Sequence, residues 1–212
     1  MLSKCYSSLS DHFRVHYKPD FLDKKTADKY FAILEDKLEY MTKEQSKVTV
    51  YGKQYEIPRK QMAYGNSNIN YKFSGVTVPA KDWNDKDDIV CRVLKNIKGQ
   101  VELFTGQKFN FVLINRYATG EDHIGFHSDD EKELGENPSI VGVTLGAERD
   151  FQFRPKKDFY PQVIDSHFEM VLHHGSIVVM NNPTNKYWQH AVPKRSAIKK
   201  PRISLTFRHI QQ

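Results

Sequence analysis

The hydrophobic pattern of the sequence changes near Gly106 from the spacing of helices to that of strands. This change limits the fold classes that the chain can adopt. Before Gly106, apolar residues recur at three- and four-residue spacing in two stretches, which is the pattern of amphipathic helices. After it, β-branched and aromatic residues gather in short runs, which is the pattern of strands. Two helices that buttress a β-rich C-terminal half predict an α+β chain.

The predicted helices cover about residues 24–41 and 86–104. Asp23 stands where a side chain caps the start of the first helix, and Gly106 follows the end of the second. We interpret both apolar stripes as core-facing surfaces. Strands are predicted over residues 109–117, 139–145, 151–154, 168–173, 176–180 and 203–208.

The length of the chain fits a single domain over residues 1–212, which is large enough to bury its own core. The net charge of +6 favours a polyanionic partner, although many basic proteins bind no nucleic acid. The only cysteines, Cys5 and Cys91, make neither a disulfide framework nor a thiolate metal site, which is typical of an intracellular protein. No membrane span or signal peptide is recognisable, so we expect a soluble protein without a membrane partner.

The motif His127-Ser128-Asp129, followed later by His190, is the strongest chemical signal in the sequence. Two imidazoles and one carboxylate can occupy one face of an octahedral Fe(II) and leave three positions open for a co-substrate and O2. A histidine two residues from an acid is common by chance, and His167-Phe168-Glu169 has the same spacing. The motif therefore predicts an iron site only together with its context.

The last predicted strand provides part of that context. Its alternation places Arg202, Ser204, Thr206 and Arg208 on one polar and cationic face. A guanidinium pairs with a carboxylate through two parallel hydrogen bonds, so two arginines match the two carboxylates of 2-oxoglutarate. The alternative interpretation is the solvated outer face of a surface strand.

These motifs resemble the AlkB family of iron- and 2-oxoglutarate-dependent nucleic-acid dealkylases, and within it most of all the members that repair duplex DNA. The resemblance runs from about His12 to Ile210. Its most specific stretches are residues 57–61, 109–117, 122–125, 127–131, 182–185 and 201–208. The family implies a double-stranded β-helix (jelly-roll-like) oxygenase core over about residues 106–210. Residues 12–105 would then form a substrate-recognition extension with the buttressing helices and a nucleotide-recognition hairpin and lid.

The resemblance also implies roles for individual residues. The Fe(II) ligands would be His127, Asp129 and His190. Arg202 would bind the distal carboxylate of 2-oxoglutarate and Arg208 the carboxylate beside its keto group. Ser204 stands where relatives usually carry asparagine. The full set of implied co-substrate contacts is Asn115, Tyr117, Arg202, Ser204, Thr206 and Arg208.

Residues before the first strand of the core match the parts of duplex-active relatives that contact DNA. Val50-Tyr51-Gly52 stands at the position of a hydrophobic finger, which fills the hole left by a flipped base. The alternative is an ordinary β-hairpin tip with a Tyr-Gly turn. Lys53 would touch the adjacent backbone, and Arg59 belongs to the downstream stretch that supports the match.

A second group of residues matches the nucleotide lid and the base pocket of the family. In the segment Tyr71-Lys72-Phe73, Phe73 would stack on the flipped base opposite His127. Tyr71, Asp130 and Glu131 would read the polar edge of that base, and a carboxylate suits a cationic methylated base. For Asp130 and Glu131, a solvated acidic loop is the alternative.

The function implied by the resemblance is oxidative repair of DNA bases of the 1-methyladenine and 3-methylcytosine type. The enzyme would flip the base, hydroxylate its alkyl group with O2 and 2-oxoglutarate, and release formaldehyde, succinate and CO2. We expect a nuclear monomer acting on alkylated double-stranded DNA.

Two alternatives stay open. One is a demethylase of single-stranded DNA or RNA, because Ser196-Ala197 and residues 158–161 replace basic residues of the duplex-active relatives. The other is a catalytically silent nucleic-acid-binding protein on the same scaffold. The basic loop over residues 193–201 suits phosphates, or alternatively a nuclear-localisation signal.

Overall fold

The structure, a computed structural model, describes residues 4–5, 12–42, 47–50, 53–73, 76–129, 131–159 and 167–211. The helices of the described residues are α1 (Lys24–Lys37), α2 (Ile89–Thr105) and α3 (Thr184–Tyr187), with a 3-10 turn at Lys132–Leu134. The strands are β1 (Lys4–Cys5), β2 (Val15–Lys18), β3 (Lys47–Val50), β4 (Lys53–Glu56), β5 (Lys60–Gly65), β6 (Asn70–Phe73), β7 (Val76–Pro79), β8 (Lys81–Asp82), β9 (Phe111–Tyr117), β10 (Ile124–His127), β11 (Ile140–Gly146), β12 (Arg149–Pro155), β13 (Phe168–Leu172), β14 (Ile177–Met180), β15 (Trp188–Val192) and β16 (Arg202–Arg208).

These strands form two facing sheets and two separate hairpins. The larger sheet has eight strands in the order β1-β2-β14-β11-β16-β9-β5-β8, and the smaller has four in the order β10-β15-β12-β13. The hairpins are β3–β4 and β6–β7. Nearly all neighbours are antiparallel, and the crossovers between the two sheets give the jelly-roll arrangement. The α+β prediction is confirmed.

The central strands of the larger sheet are buried on both faces because their side chains alternate between two cores. In β9, Val112 and Ile114 pack with the helices, whereas Phe111 and Leu113 pack against the smaller sheet. Side chains of successive strand residues point to opposite faces, so one apolar run supplies both cores. The helix-side core also contains Cys91, which packs as a small apolar residue.

The two long helices begin and end where local chemistry dictates. Asp23 caps α1 through the backbone N–H of Thr26 at 2.9 Å, as predicted. The helix ends at Lys37 and not near residue 41, because Leu38 has an extended backbone (φ −79°, ψ 119°). Leu38 and Met41 still pack on the core, and this explains why the apolar spacing outlasts the helix.

The second helix begins later than predicted, at Ile89. Asp88 is its N-cap and accepts a hydrogen bond from the backbone N–H of Val90 at 2.6 Å. Gly106 closes the helix in the left-handed conformation (φ 69°), as its position after the last apolar residue predicted.

All six predicted strands are present, with ends that differ by no more than a few residues. In the part of the chain described here, no helix combines the length and the apolar character that crossing a membrane requires.

Candidate active site

Two neighbouring strands of the smaller sheet bring the predicted iron ligands together. In the antiparallel pair β10–β15, His127 lies directly opposite His190. Directly opposed residues have Cβ atoms about 4.5–5.5 Å apart, which suits two ligands of one ion. Asp129 follows the end of β10, and one ligand atom from each of the three residues lies within 4.8 Å of the others. The residues named from the sequence therefore form one cluster.

The hydrogen bond of His127 determines which of its ring nitrogens can bind a metal. Its Nδ1 lies 2.9 Å from the carbonyl oxygen of Gly125. A carbonyl can only accept, so Nδ1 carries the proton and Nε2 presents a lone pair. Burial, reinforced by the neighbouring His127, lowers the pKa of His190 to about 3. His190 is therefore neutral at physiological pH, which is the form that binds metals.

Asp129 is buried and held as a carboxylate. Burial alone would raise its pKa, but the charge of Arg208 outweighs burial and holds the pKa of this carboxyl well below its usual range. Nη2 of Arg208 donates to Asp129 Oδ1 at 2.7 Å. Oδ2 has no hydrogen-bond partner among the described residues and lies 3.6 Å from His190 Nε2. One carboxylate oxygen is therefore left for a cation.

The polar face of β16 lines the same cavity as the three ligands. This cavity has a volume of about 580 Å³. Its wall includes all the co-substrate contacts named from the sequence, which are Asn115, Tyr117, Arg202, Ser204, Thr206 and Arg208. Arg202 is only 2% exposed and Arg208 4%. The interpretation of this face as a solvated outer surface is therefore wrong.

Strand register explains how these side chains meet. The strand β16 lies between β9 and β11, so its cavity-facing residues Arg202, Ser204 and Thr206 have a partner on both sides. Ser204 lies opposite Asn115 on β9 and Thr144 on β11, and Arg202 lies opposite Tyr117. These cross-strand neighbours share one face, and they form a polar row within an otherwise apolar sandwich.

Arg202 has the geometry of a buried carboxylate receptor. Its Nη2 donates to Thr144 Oγ1 at 2.9 Å and to Ser204 Oγ at 3.3 Å, and its guanidinium lies 5.1 Å from the ring of Tyr117. Its Nε and Nη1 are buried without a hydrogen-bond partner among the described residues. Burial lowers the pKa of Arg202 to about 10, so the side chain stays charged at neutral pH. A buried cation with unsatisfied donors fits an anionic ligand.

The amide of Asn115 is oriented by two donors. Its Oδ1 accepts from Arg59 Nε and from Gln61 Nε2, both at 2.8 Å. Because both partners donate, the oxygen must face them, and Nδ2 is the atom left to donate to a ligand. Arg59, named from the sequence as a DNA contact, lies in the wall of this cavity and also reaches the carbonyl of His123 at 3.4 Å.

The structure places the other predicted DNA contacts as follows. Glu131 lines the cavity beside Asp129. Val50 and Lys53 are paired at the end of the β3–β4 hairpin, and the segment Tyr71-Lys72-Phe73 belongs to β6. Tyr51, Gly52 and Asp130 lie outside the described residues.

Two residues that support the site were not identified from the sequence. Thr144 holds Arg202, and its signal was visible as a polar residue in an apolar strand. Arg149 is fully buried and donates to the carbonyls of Asp122 at 2.9 Å and Pro193 at 2.6 Å. It therefore ties the turn before β10 to the turn after β15, and these two strands carry the histidine ligands. An arginine at a strand start gave no signal of this role.

The other histidine and acid pairs are engaged elsewhere. His173 lies 2.7 Å from Glu148, and His174 lies 3.1 Å from Asp28. The segment His167-Phe168-Glu169 is a decoy motif, because it has the same spacing as His127-Ser128-Asp129. Its Glu169 accepts a hydrogen bond from Gln152 Nε2 at 2.6 Å. Within the described ranges, the ligand set at His127 is the only group of three or more that could hold a metal ion.

A set of two imidazoles and one carboxylate, beside an arginine-lined cavity between two β-sheets, defines the class of Fe(II)- and 2-oxoglutarate-dependent oxygenases. The family model of the 2OG-Fe(II) oxygenase superfamily matches residues 14–208.

The relatives support this assignment. The DNA oxidative demethylase ALKBH2 of Bos taurus is 44% identical over 189 residues, which cover 88% of this chain and 66% of the relative. ALKBH2 of Homo sapiens is also 44% identical over 189 residues, covering 88% of this chain and 70% of the relative. The chain thus spans about two thirds of the length of these relatives. It belongs to the AlkB family, as the motifs of the sequence predicted.

A solved structure, that of OsALKBH1, supports the fold alone. It superposes with a TM-score of 0.56 at 14% identity and covers 92% of this chain and 96% of its own. The predicted jelly-roll-like oxygenase core with N-terminal helices is confirmed.

Membership of the superfamily implies Fe(II), 2-oxoglutarate and O2, as the sequence predicted. The described residues fit these groups. Oδ2 of Asp129 and the lone pair on His127 Nε2 are available for a cation, and the unsatisfied donors of Arg202 are available for a carboxylate.

Proposed function

We propose that this protein is a DNA oxidative dealkylase that repairs bases of the 1-methyladenine and 3-methylcytosine type in double-stranded DNA. The observation that carries the proposal is the single cavity shared by the three ligands and the arginine face, in a chain 44% identical to DNA oxidative demethylases. The protein flips the damaged base, hydroxylates its alkyl carbon and releases formaldehyde.

His127 Nε2, Asp129 Oδ2 and His190 Nε2 hold the iron in this proposal. Bound Fe(II), together with 2-oxoglutarate and O2, supplies the oxidant that hydroxylates the alkyl carbon, and succinate and CO2 are the other products. Arg208 keeps Asp129 ionised and oriented, because its Nη2 donates at 2.7 Å to Oδ1, the carboxylate oxygen that does not bind the iron. The hydroxylated alkyl group leaves the base as formaldehyde, and the base is restored uncut.

The arginine face orients the co-substrate. Arg202 receives the distal carboxylate through its unsatisfied nitrogens, and Arg208 lies at the end nearer Asp129, where it receives the carboxylate beside the keto group. The amide Nδ2 of Asn115 donates to a co-substrate oxygen. Tyr117, Ser204 and Thr206 complete the wall, and apolar residues such as Leu113 and Val178 exclude water from the remainder of the cavity.

The N-terminal extension over residues 12–105 supplies the contacts to DNA, and the core over residues 106–210 supplies the chemistry. Glu131, with Asp130, recognises the cationic face of a methylated base. Tyr71-Lys72-Phe73 covers the flipped base opposite His127. Val50-Tyr51-Gly52 fills the hole that the flipped base leaves in the duplex, and Lys53 contacts the adjacent DNA backbone. Arg59 acts indirectly in this scheme, because its hydrogen bond orients Asn115.

Formaldehyde release from matched substrates tests the proposal. One oligonucleotide sequence with a single 1-methyladenine or 3-methylcytosine would be presented as duplex DNA, single-stranded DNA and RNA, with 2-oxoglutarate, Fe(II) and O2. We expect the largest kcat/KM on duplex DNA. No formaldehyde from any substrate, with iron and 2-oxoglutarate bound, would exclude the dealkylase and favour a silent binding protein.

A single-strand demethylase is the second candidate, and one observation favours it. Arg195, in the loop expected to bind phosphates, is paired with the carboxylates of Asp150 and Glu169. A guanidinium held by two acids is less available to grip a second DNA strand. The same substrate series separates the candidates, because a higher kcat/KM on the single strand would reject strict duplex preference.

We also propose that the protein acts as a monomer in the nucleus, where its substrate lies. Light scattering in the presence of Fe(II) and 2-oxoglutarate is expected to give the mass of one chain. Loss of nuclear accumulation after neutralising Lys199 and Lys200 would identify the basic loop as the localisation signal; unchanged accumulation would leave it as a phosphate contact.

The substitution Arg208→Lys is expected to weaken 2-oxoglutarate binding by about 10-fold or more, because lysine keeps the charge but loses the planar fork. The affinity for alkylated DNA should change less than about twofold, since the side chain lies among the co-substrate contacts. Titration calorimetry under anaerobic conditions measures both affinities. Equal 2-oxoglutarate affinity in the two proteins would contradict the carboxylate role.

The substitution Tyr51→Ala is expected to lower activity on a lesion in duplex DNA by at least about 5-fold, because it removes stacking of roughly 1–3 kcal/mol in the extruded state. Activity on the same lesion in a single strand should change little, since no hole opens there. Parallel kinetics on the two substrates check this. Equal losses on both, with a lower melting temperature, would indicate a core role for Tyr51 and not a finger.

A further inference from the structure

A second cavity adjoins the proposed active site. Asp129 and Glu131 line the co-substrate cavity and also a neighbouring cavity of about 360 Å³. The wall of the second cavity includes Lys156, Phe159 and Lys186. A ligand in the second cavity would therefore lie next to the proposed active site.

Phe159 presents an exposed aromatic face at this cavity. It is 45% exposed, and its ring centroid lies 4.7 Å from that of Tyr187, with the two ring planes tilted by 58°. Tyr187 stacks on His12, with centroids 4.0 Å apart and ring planes at 12°. The backbone N–H of Lys156 donates to the carbonyl of Tyr187 at 2.8 Å, which fixes the loop to these rings. Phe159 is thus the outer ring of a supported aromatic cluster, and its exposed face is available to a ligand.

A buried amide faces the same cavity. Asn185 is only 6% exposed, and neither its Nδ2 nor its Oδ1 has a hydrogen-bond partner in the described ranges. A buried amide is normally satisfied on both atoms. Asparagine pairs with the edge of a nucleobase through this combination of one donor and one acceptor. The cavity therefore offers a ring face and an amide to one ligand.

The cavity carries charges of both signs. Lys156 and Lys186 line it together with Phe159, and the carboxylates of Asp129, Glu131 and Glu136 also line it. Lysines near an aromatic ring suit a nucleotide, because they attract its phosphate while its base stacks on the ring. The cavity wall therefore offers contacts to both the phosphate and the base of a nucleotide.

We propose that Phe159 is a stacking platform for an unpaired nucleobase that neighbours the target base in the DNA strand. Lys156 and Lys186 contact its phosphate, and Asn185 contacts its edge. The inference rests on the proposed function, since it takes DNA as the substrate. In a duplex the neighbouring base remains paired and stacked, so the platform serves single-stranded or locally opened DNA.

Binding measurements on Phe159 variants test the platform. The dissociation constant of a single-stranded oligonucleotide with one 1-methyladenine is measured by fluorescence anisotropy, with Fe(II) and 2-oxoglutarate bound and O2 excluded. Phe159→Ala is expected to weaken binding by at least about 5-fold, and Phe159→Trp to retain it. The matched control is Phe104→Ala, since Phe104 is 40% exposed on the helix side of the larger sheet.

An abasic scan identifies the stacked nucleotide. Each base next to the lesion is removed in turn, and the affinities of the wild-type and Phe159→Ala proteins are compared. At the stacked position, the abasic site should weaken binding to the wild type and have little further effect on Phe159→Ala. This coupling is a readout that a merely structural role of Phe159 would not produce.

Two results would overturn the platform. One is an affinity of Phe159→Ala within about twofold of wild type. The other is an equal loss in Phe159→Ala, Phe159→Trp and Phe104→Ala, which would reflect general damage and not stacking. The outcomes also separate the two proposals. Phe159-dependent DNA binding without formaldehyde release would reject the dealkylase alone, and formaldehyde release with Phe159-independent binding would reject the platform alone.

Discussion

Replacing Asp129 with alanine is expected to abolish formaldehyde release while the chain still folds. The substitution removes the only anionic ligand of the proposed iron site, in a cluster whose ligand atoms lie within 4.8 Å of one another. The loss should exceed the roughly 10- to 100-fold effect of removing a group that only orients a ligand. Anaerobic Fe(II) titration and formaldehyde release measure the two consequences.

The alanine variant is also expected to be less stable than the wild type, because it loses the ion pair between Asp129 and Arg208. Asp129 and Arg208 are both buried, and removal of one partner of such a pair costs about 3–5 kcal/mol. A lower melting temperature is therefore expected together with a cooperative transition. Asp129→Asn is the better test of the chemistry, because asparagine keeps the shape of the side chain and an oxygen that accepts from Arg208 but removes the negative charge.

The decoy motif provides the control for this experiment. Glu169 stands two residues after a histidine, as Asp129 does, but it is bound to Gln152 and lies on β13. Glu169→Ala should therefore keep iron binding. Wild-type turnover by Asp129→Asn with iron supplied at ordinary concentration would reject the assignment of the ligands.

The sequence predicted secondary structure correctly where a segment kept a single hydrophobic period along its whole length. The strand 203–208 alternated apolar and polar residues, and the structure places its two sets on opposite faces of one buried strand. The apolar stripe of the first helix continued to Met41, but the helix ends at Lys37. Packing on a core requires only proximity, so an extended segment can continue an apolar pattern after the helical hydrogen bonds end.

The strands β10 and β15 were not predicted as strands, although they carry the histidine ligands. Their sequences, Ile-Gly-Phe-His and Trp-Gln-His-Ala-Val, have too little alternation to signal a strand. The pairing of His127 with His190 comes from register between segments that are far apart in the chain. Residue types therefore predicted the ligands, but only tertiary structure shows how they meet.

The supporting residues were harder to predict for the same reason. Arg149 satisfies carbonyls from two turns, and nothing near it in sequence indicates those partners. The hydrogen bonds that orient Asn115 come from the other edge of β9, through β5. Local patterns identify groups that can do chemistry, whereas the groups that hold them in place depend on contacts across strands.

Substitutions of Tyr51 and Phe159 are expected to affect different substrates. Together they test whether the enzyme prefers duplex or single-stranded DNA. Tyr51→Ala is expected to affect the duplex, whereas Phe159→Ala is expected to affect the single strand. If only the first effect is observed, the enzyme relies on the finger alone. If both are observed, the enzyme accepts both forms of DNA through different aromatic contacts.

The substitution Arg202→Met is expected to weaken 2-oxoglutarate binding by at least about 100-fold, since it removes two hydrogen bonds to a charged group, each worth about 1.5–3 kcal/mol. Methionine has a similar length and can fill the space among Tyr117 and its neighbours. Without 2-oxoglutarate, the melting temperature should stay the same or rise, because the variant no longer buries a cation with unsatisfied donors.

The combination of these two results identifies Arg202 as a co-substrate receptor. A residue that only holds the sheet together would lower the melting temperature when replaced and leave 2-oxoglutarate affinity intact. Arg92→Met is the matched control, because Arg92 is an exposed arginine on α2. Thermal shift with and without 2-oxoglutarate compares the three proteins directly. The wild type and Arg92→Met should be stabilised by the ligand, and Arg202→Met should not, because stabilisation requires a ligand concentration well above the dissociation constant.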